Sequence, residues 1–134
     1  MAGQPKALVV DDDASSRITI EAMLSSEDYE LHFAENGAQA LSMAAELRPD
    51  IILLDLNMPR KSGLEVLIEL KSDLDFKRIP VIVYTSSVTK EDIKAAYNHH
   101  ANSYIRKSVD FDDCIKTAKS IKDFWFTSSV LSEP

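Results

Sequence analysis

Residues 6–15 read KALVVDDDAS: a lysine, four apolar residues without a break, then three aspartates, Asp11, Asp12 and Asp13, with no base between them. A short continuous apolar run suits a strand buried on both faces, so the carboxylates fall where such a strand leaves the core. In an effective dielectric of about 20, two unit charges ~4 Å apart repel by about 4 kcal/mol. A chain that gathers acids at a strand end must supply or recruit a cation there.

The pattern recurs outward from this stretch. YELHFA (29–34), DIILLD (50–55), IPVIVYT (79–85) and SYIRK (103–107) alternate with segments of helical period, giving five strand–helix repeats. IILL and VIVY are continuously apolar, as LVV is, and suit central parallel strands; YELHFA alternates and suits a place nearer the edge. This order predicts an α/β fold, a parallel sheet with helices on both faces. Ser62 with Glu65 makes a capping box, Thr89 with Asp92 a weaker one, and Asp110 can cap a last helix. In that helix Phe111, Cys114, Ile115, Ala118, Ile121 and Trp125 recur at three- and four-residue steps and describe one buried stripe.

Bulk properties exclude several classes. The 134 residues suit one domain with a single core. With 45% hydrophobic and 28% charged residues, neither disorder nor a membrane protein is indicated. The longest apolar runs are strand-sized, against the roughly 20 residues of a spanning helix. No basic and apolar leader precedes ALVV, so a cytoplasmic address is expected. A net charge of −7 repels a phosphate backbone, which argues against nucleic-acid binding. Cys114 is the single cysteine, so an internal disulfide and a multi-cysteine metal site are excluded, and its place on the stripe reads as core.

Open parallel sheets bind ligands outside the carboxyl ends of their strands, at the point where successive crossovers take opposite sides. The polar residues at strand ends form one candidate site: Asp11 and Asp12 after the first strand, Asp55 after the third, Thr85 after the fourth and Lys107 after the fifth. Three carboxylates with no nearby Cys or His make a hard oxygen pocket that favours Mg²⁺ over zinc. Mg²⁺ commonly takes one or two carboxylates plus phosphate oxygens, which leaves one carboxylate as a nucleophile. Lys107 supplies a point charge and Thr85 a hydroxyl for a phosphoryl group, so the set reads as a phosphoryl-transfer site.

VVDDD, ILLDLNMPRKSGLEVL, IPVIVYTS and SYIRK, in this order over nearly the whole chain, resemble the receiver domain of two-component response regulators. The resemblance implies a flavodoxin-like (βα)5 doubly wound sheet in the order 2-1-3-4-5, with the ends of strands 1 and 3 side by side. It implies that Asp55 takes a phosphoryl group from a phosphohistidine on a histidine kinase. It implies Mg²⁺ bound by Asp12 and Asp55, by the backbone carbonyl of Asn57, and by Asp11 through water. Lys107 would pair with the phosphoryl oxygens, Thr85 would swing toward them, and Tyr104 would turn inward behind it. Output would be protein contact, with self-phosphorylation and autodephosphorylation as the domain's only catalysis, so a metabolic enzyme is not expected.

Most receivers carry proline after the lysine, with a cis bond; here Ser108 follows Lys107, and a trans bond is expected. This KS pair, FKRIPVIVYTSS and the terminal DFWFTSSVL are similar to stand-alone receivers that serve phytochrome kinases. Receiver organisation is expected over 1–126, with a short tail over 127–134 and no effector domain.

Several residues have simpler readings. Asp13 is expected to cap the first helix, Met58 and Pro59 to shape a turn, and His99 and His100 to form a surface pair at a helix end, since adjacent histidines do not share a helix face. Phe124 and Phe126 cannot both join the stripe of Trp125; a homodimer contact through the last helix and tail is the preferred reading, and a tail folded back on its own domain the alternative. One rival reading also fits DDDAS: a haloacid-dehalogenase-type phosphatase with Asp11 as nucleophile, followed by Thr85, Lys107, Asp112 and Asp113. It leaves LDLNMP unexplained and supplies no cap region.

Overall fold

The computed structural model describes residues 5–24, 30–58, 61–87 and 89–107, together with 116, 119 and 120. Five strands, β1 (Lys6–Val10), β2 (Glu30–Ala34), β3 (Ile51–Leu54), β4 (Val81–Thr85) and β5 (Ser103–Arg106), form one sheet in the order β2-β1-β3-β4-β5. Every pairing is parallel. Four helices, α1 (Ala14–Leu24), α2 (Gly37–Leu47), α3 (Gly63–Ser72) and α4 (Lys90–Asn98), connect them. Fold class and strand order are therefore those expected.

The apolar runs explain the layers, because side chains alternate across a strand. Leu8, Val10, Ile52, Leu54, Val81 and Val83 pack on one face with Ala40 and Ala44 of α2, Val66, Leu67 and Leu70 of α3, and Ala96 of α4. Ala7, Val9, Ile51, Leu53 and Ile82 pack on the other with Ile20 of α1. Each fully buried Leu, Ile or Val contributes about 1.5–3 kcal/mol relative to exposure. Since α1 covers one face and α2 the other, the crossover direction reverses between β1 and β3.

Register then sets the strand ends. Val10 pairs with Ala34 and Leu54, and Leu54 with Val83. The ladder runs one residue further: Asp11 N donates to Ala34 O and Asp55 N to Val10 O, each at 3.0 Å. Asp11 and Asp55 thus leave the sheet as neighbours. At the opposite end, Lys71 Nζ donates to Lys77 O, Ile79 O and Asn102 Oδ1 at 3.1, 2.8 and 3.1 Å, clamping the entry to β4. Burial pulls the Lys71 ammonium below its ordinary pKa.

Caps follow the sequence in part. Ser62 accepts from Glu65 N and Thr89 from Asp92 N, each at 3.2 Å, and Asp13 Oδ1 accepts from Ser15 N at 3.0 Å at the start of α1. Asn36, not anticipated, caps α2 through Gln39 N at 2.8 Å. The IPVIVYT stretch enters its strand at Val81, two residues late, since Pro80 has no N–H for a ladder. His99 and His100 are exposed beyond α4, as a surface pair should be, and Met58 is buried.

Tyr29, Pro59, Ser108, Asp110, Phe111, Asp112, Asp113, Cys114, Ile115, Ala118, Ile121, Phe124, Trp125 and Phe126 lie outside the described residues. So do the dimer contact, the Lys107–Ser108 bond and all of the expected last helix except Lys116, Lys119 and Ser120, which are helical, with Ser120 Oγ donating to Lys116 O at 3.0 Å. Among the described residues no helix is long and apolar enough to cross a membrane.

Candidate functional site

Among the described residues only three polar or charged side chains are fully buried: Asp11 at 1%, Asp55 at 7% and Thr85 at 0% exposure. All three terminate or follow a central strand. Burying a carboxylate without a partner is costly, so two such groups side by side at the carboxyl ends of β1 and β3 require local compensation.

Lys107 provides it. The residue follows β5, its backbone N–H held by Thr85 O at 2.8 Å, and its Nζ lies 2.5 Å from Asp11 Oδ2 and 3.4 Å from Asp55 Oδ2. The Tyr84 ring lies beneath the ammonium, 5.8 Å from centroid to Nζ. Asp11 is held further by Ser16 Oγ, which donates to Oδ2 at 2.7 Å, and by Asp13 N, which donates to Oδ1 at 3.0 Å. Arg17 Nη1 donates to the Asp11 carbonyl at 2.8 Å. Asp12 stays exposed at the mouth.

One carboxylate oxygen from each of Asp11, Asp12 and Asp55 can be chosen so that all lie within 4.8 Å of one another. An all-oxygen donor set without Cys or His suits a hard divalent cation, so the residues present fit a metal of the Mg²⁺ or Mn²⁺ kind.

A second hydrogen-bonded row leads away from Asp55. Asn57 N donates to Asp55 Oδ1 at 3.1 Å, and Asn57 Nδ2 to Thr85 Oγ1 at 3.4 Å. Ser87 N reaches the same hydroxyl oxygen at 3.5 Å. Both contacts use the Thr85 oxygen as acceptor, and the hydroxyl can in addition donate. Tyr104 Oη donates to Ser87 O at 2.8 Å. Burial raises the Tyr104 pKa, the Ser87 hydrogen bond opposes that, and the charges of Asp92 and Asp55 add to the rise.

The structure therefore brings together Asp11, Asp12, Asp55, Asn57, Thr85, Tyr104 and Lys107. Sequence reading alone missed Ser16, Arg17 and Gly63, and gave Asp92 only a capping role. Gly63 had a legible signal: glycine is a poor helix former, yet it stands at the first position of α3. A Cβ there would sit 2.0 Å from Asp55 O and 2.6 Å from Leu56 Cα, so only glycine lets α3 approach the strand end. Ser16 and Asp92 carried no such mark, since a serine inside one helix and an acid in the first turn of another are ordinary.

Comparison with known proteins agrees with this geometry. The family model described as the response regulator receiver domain matches residues 7–119. Response regulator Rcp1 of Synechocystis sp. is 39% identical over 132 residues, covering 92% of this chain and 90% of its own. The crystal structure of the phosphorylated cyanobacterial phytochrome response regulator RcpA superposes with a TM-score of 0.92 at 35% identity, over 98% of this chain and 100% of that one. The Mn²⁺-bound form of Rcp1 gives 0.89 at 36% identity, over 96% and 99%.

Proposed function

Because this chain belongs to the response regulator receiver domain family, we propose that Asp55 is its phosphoacceptor and that a histidine kinase is the donor. Membership removes the phosphatase reading: the chain is not a haloacid-dehalogenase-type enzyme, and Asp11 is not its nucleophile.

The observation that carries the proposal is the burial of Asp55 beside both Lys107 and the two other acids. In the transfer, an Asp55 carboxylate oxygen attacks phosphorus, the P–O bond forms as the P–N bond of phosphohistidine breaks, and the imidazole nitrogen keeps the electron pair. Asp11, Asp12 and Asp55, with the Asn57 carbonyl, would hold Mg²⁺, which when bound offsets negative charge on the phosphoryl oxygens. Lys107 exchanges its Asp55 contact for a phosphoryl oxygen, and the Thr85 hydroxyl donates to another. The added charge of about −1.5 to −2 is the signal. Self-phosphorylation from small phosphodonors and hydrolysis of the acyl phosphate would use the same groups.

Likeness to Rcp1 and RcpA supports a phytochrome-type kinase as the partner, and the Mn²⁺-bound relative supports a hard divalent cation. The match over 7–119 supports a receiver unit within 1–126. A donor kinase that draws on ATP would act in the cytoplasm, the setting proposed for the transfer.

Treating wild type, Asp55→Asn and Asp11→Asn with acetyl phosphate and Mg²⁺, then weighing the intact proteins, tests the assignment. Wild type should gain one phosphoryl group, Asp11→Asn should gain it more slowly, and Asp55→Asn should gain none. A phosphoryl adduct on Asp55→Asn would overturn the proposal.

A further inference from the structure

Asp92 stands at the third position of α4, where an acid commonly closes a capping box. Its backbone N–H donates to the cap oxygen of Thr89 at 3.2 Å. Its carboxylate, however, accepts a hydrogen bond from the hydroxyl of Ser87, five residues back and outside the helix. Ser87 is thereby engaged at all three of its polar groups. Its hydroxyl goes to Asp92, its carbonyl accepts from Tyr104 Oη at 2.8 Å, and its N–H faces Thr85 Oγ1 at 3.5 Å.

We propose that Asp92 is a positioning residue: by holding the Ser87 hydroxyl it fixes the Ser87 carbonyl where Tyr104 docks, presetting the Thr85–Tyr104 face before Asp55 is modified. This rests on the reading of Asp55 as phosphoacceptor only for its consequence, not for the contact itself. A hydrogen bond to a carboxylate is stronger than a neutral one and orients its donor more firmly. Partial burial of Tyr104 disfavours the phenolate and keeps its hydroxyl a donor to that carbonyl. Without the Asp92 anchor, Ser87 can rotate about its backbone, and the acceptor for Tyr104 moves with it. Ligand affinity scales with the fraction of molecules already in the competent arrangement. Presetting therefore strengthens the response to phosphorylation without any contact between Asp92 and the phosphoryl group.

The test uses the full chain carrying 3-fluorotyrosine, with the Tyr104 resonance identified by its loss in Tyr104→Phe. Without any phosphoryl mimic, Asp92→Ala and Ser87→Ala should shift the Tyr104 ¹⁹F signal alike, and the double variant should shift it no further. Asp92→Asn, which keeps an acceptor oxygen, should retain the wild-type signal. With Mg²⁺, beryllofluoride affinity should fall about three- to tenfold in each alanine variant. An unmoved Tyr104 signal, additive effects in the double variant, or an Asp92→Asn signal as displaced as that of Asp92→Ala would overturn the proposal, as would an unchanged beryllofluoride affinity in variants whose wild type binds it. Failure of wild type itself to bind beryllofluoride would count against the phosphoacceptor reading, while the ¹⁹F arm would still decide the role of Asp92.

Discussion

Lys107 Nζ sits 2.5 Å from Asp11 Oδ2 across 96 residues of chain, and the same ammonium reaches Asp55 Oδ2 at 3.4 Å. One lysine therefore answers the charge of two buried acids. Because a divalent cation could do the same, the site has two ways of neutralising itself, and stability should depend on which is available.

Lys107→Ala removes the ammonium that serves both buried carboxylates, Asp11 and Asp55. The loss should be roughly 3 kcal/mol in chelator. Added Mg²⁺ should recover much of it, measured by urea denaturation of both proteins with EDTA or with Mg²⁺. Equal losses under the two conditions would show that the metal does not share the carboxylates with Lys107.

Asp12 behaves differently because it is exposed while its oxygen still lies within the cluster of acids. Asp12→Ala should leave stability in EDTA within about 0.5 kcal/mol of wild type. At a Mg²⁺ concentration of 100 times Kd, binding to wild type adds about 2.7 kcal/mol, and this increment should shrink severalfold in the variant. Thermal melts across a Mg²⁺ series report both quantities.

Gly63→Ala places a methyl group 2.0 Å from the Asp55 carbonyl oxygen, a backbone atom that cannot swing aside. Destabilisation of about 3 kcal/mol or more is expected. Mg²⁺ affinity should fall with it, because the shift needed to relieve the clash carries Asp55 out of register. Urea melts and calorimetric Mg²⁺ titration of the variant would reveal whether either effect is missing.

Tyr104 should give a pH signature at the alkaline side. Its pKa is raised above the ordinary value of 10.0, chiefly by burial. The folded state thus holds this proton more tightly than the unfolded chain, a contribution complete below the unfolded pKa and lost as pH rises through the folded one. Tyr104→Phe should flatten that part of the stability curve, read from urea midpoints between neutral pH and about pH 11. Absorbance titration should also lose a phenol that ionises above the ordinary range.

Much of this molecule was legible in order along the chain. LVV, IILL and VIVY fixed three central strands because a two-sided burial requirement acts on each residue locally. Ser62 and Thr89 marked helix starts for the same reason: a cap satisfies N–H groups two or three residues away. The acids at the strand ends were legible as a concentration of charge, and the family resemblance told which of them to compare. Ser16 and the Ser87–Asp92 bond were not legible, and Gly63 showed only as a glycine at a helix start, since each acquires its role from an atom that approaches through space.

By itself, the sequence determined the kind and order of the elements and the chemical class of the site, because periodicity and charge density are properties of neighbours in the chain. Only the tertiary structure decided that Lys107 serves Asp11 more closely than Asp55, that Asp12 alone among the three acids faces solvent, and that Asp92 turns toward Ser87. Coulombic and hydrogen-bond energies fall steeply with distance, and those distances exist only once register and crossover direction have placed the strand ends together.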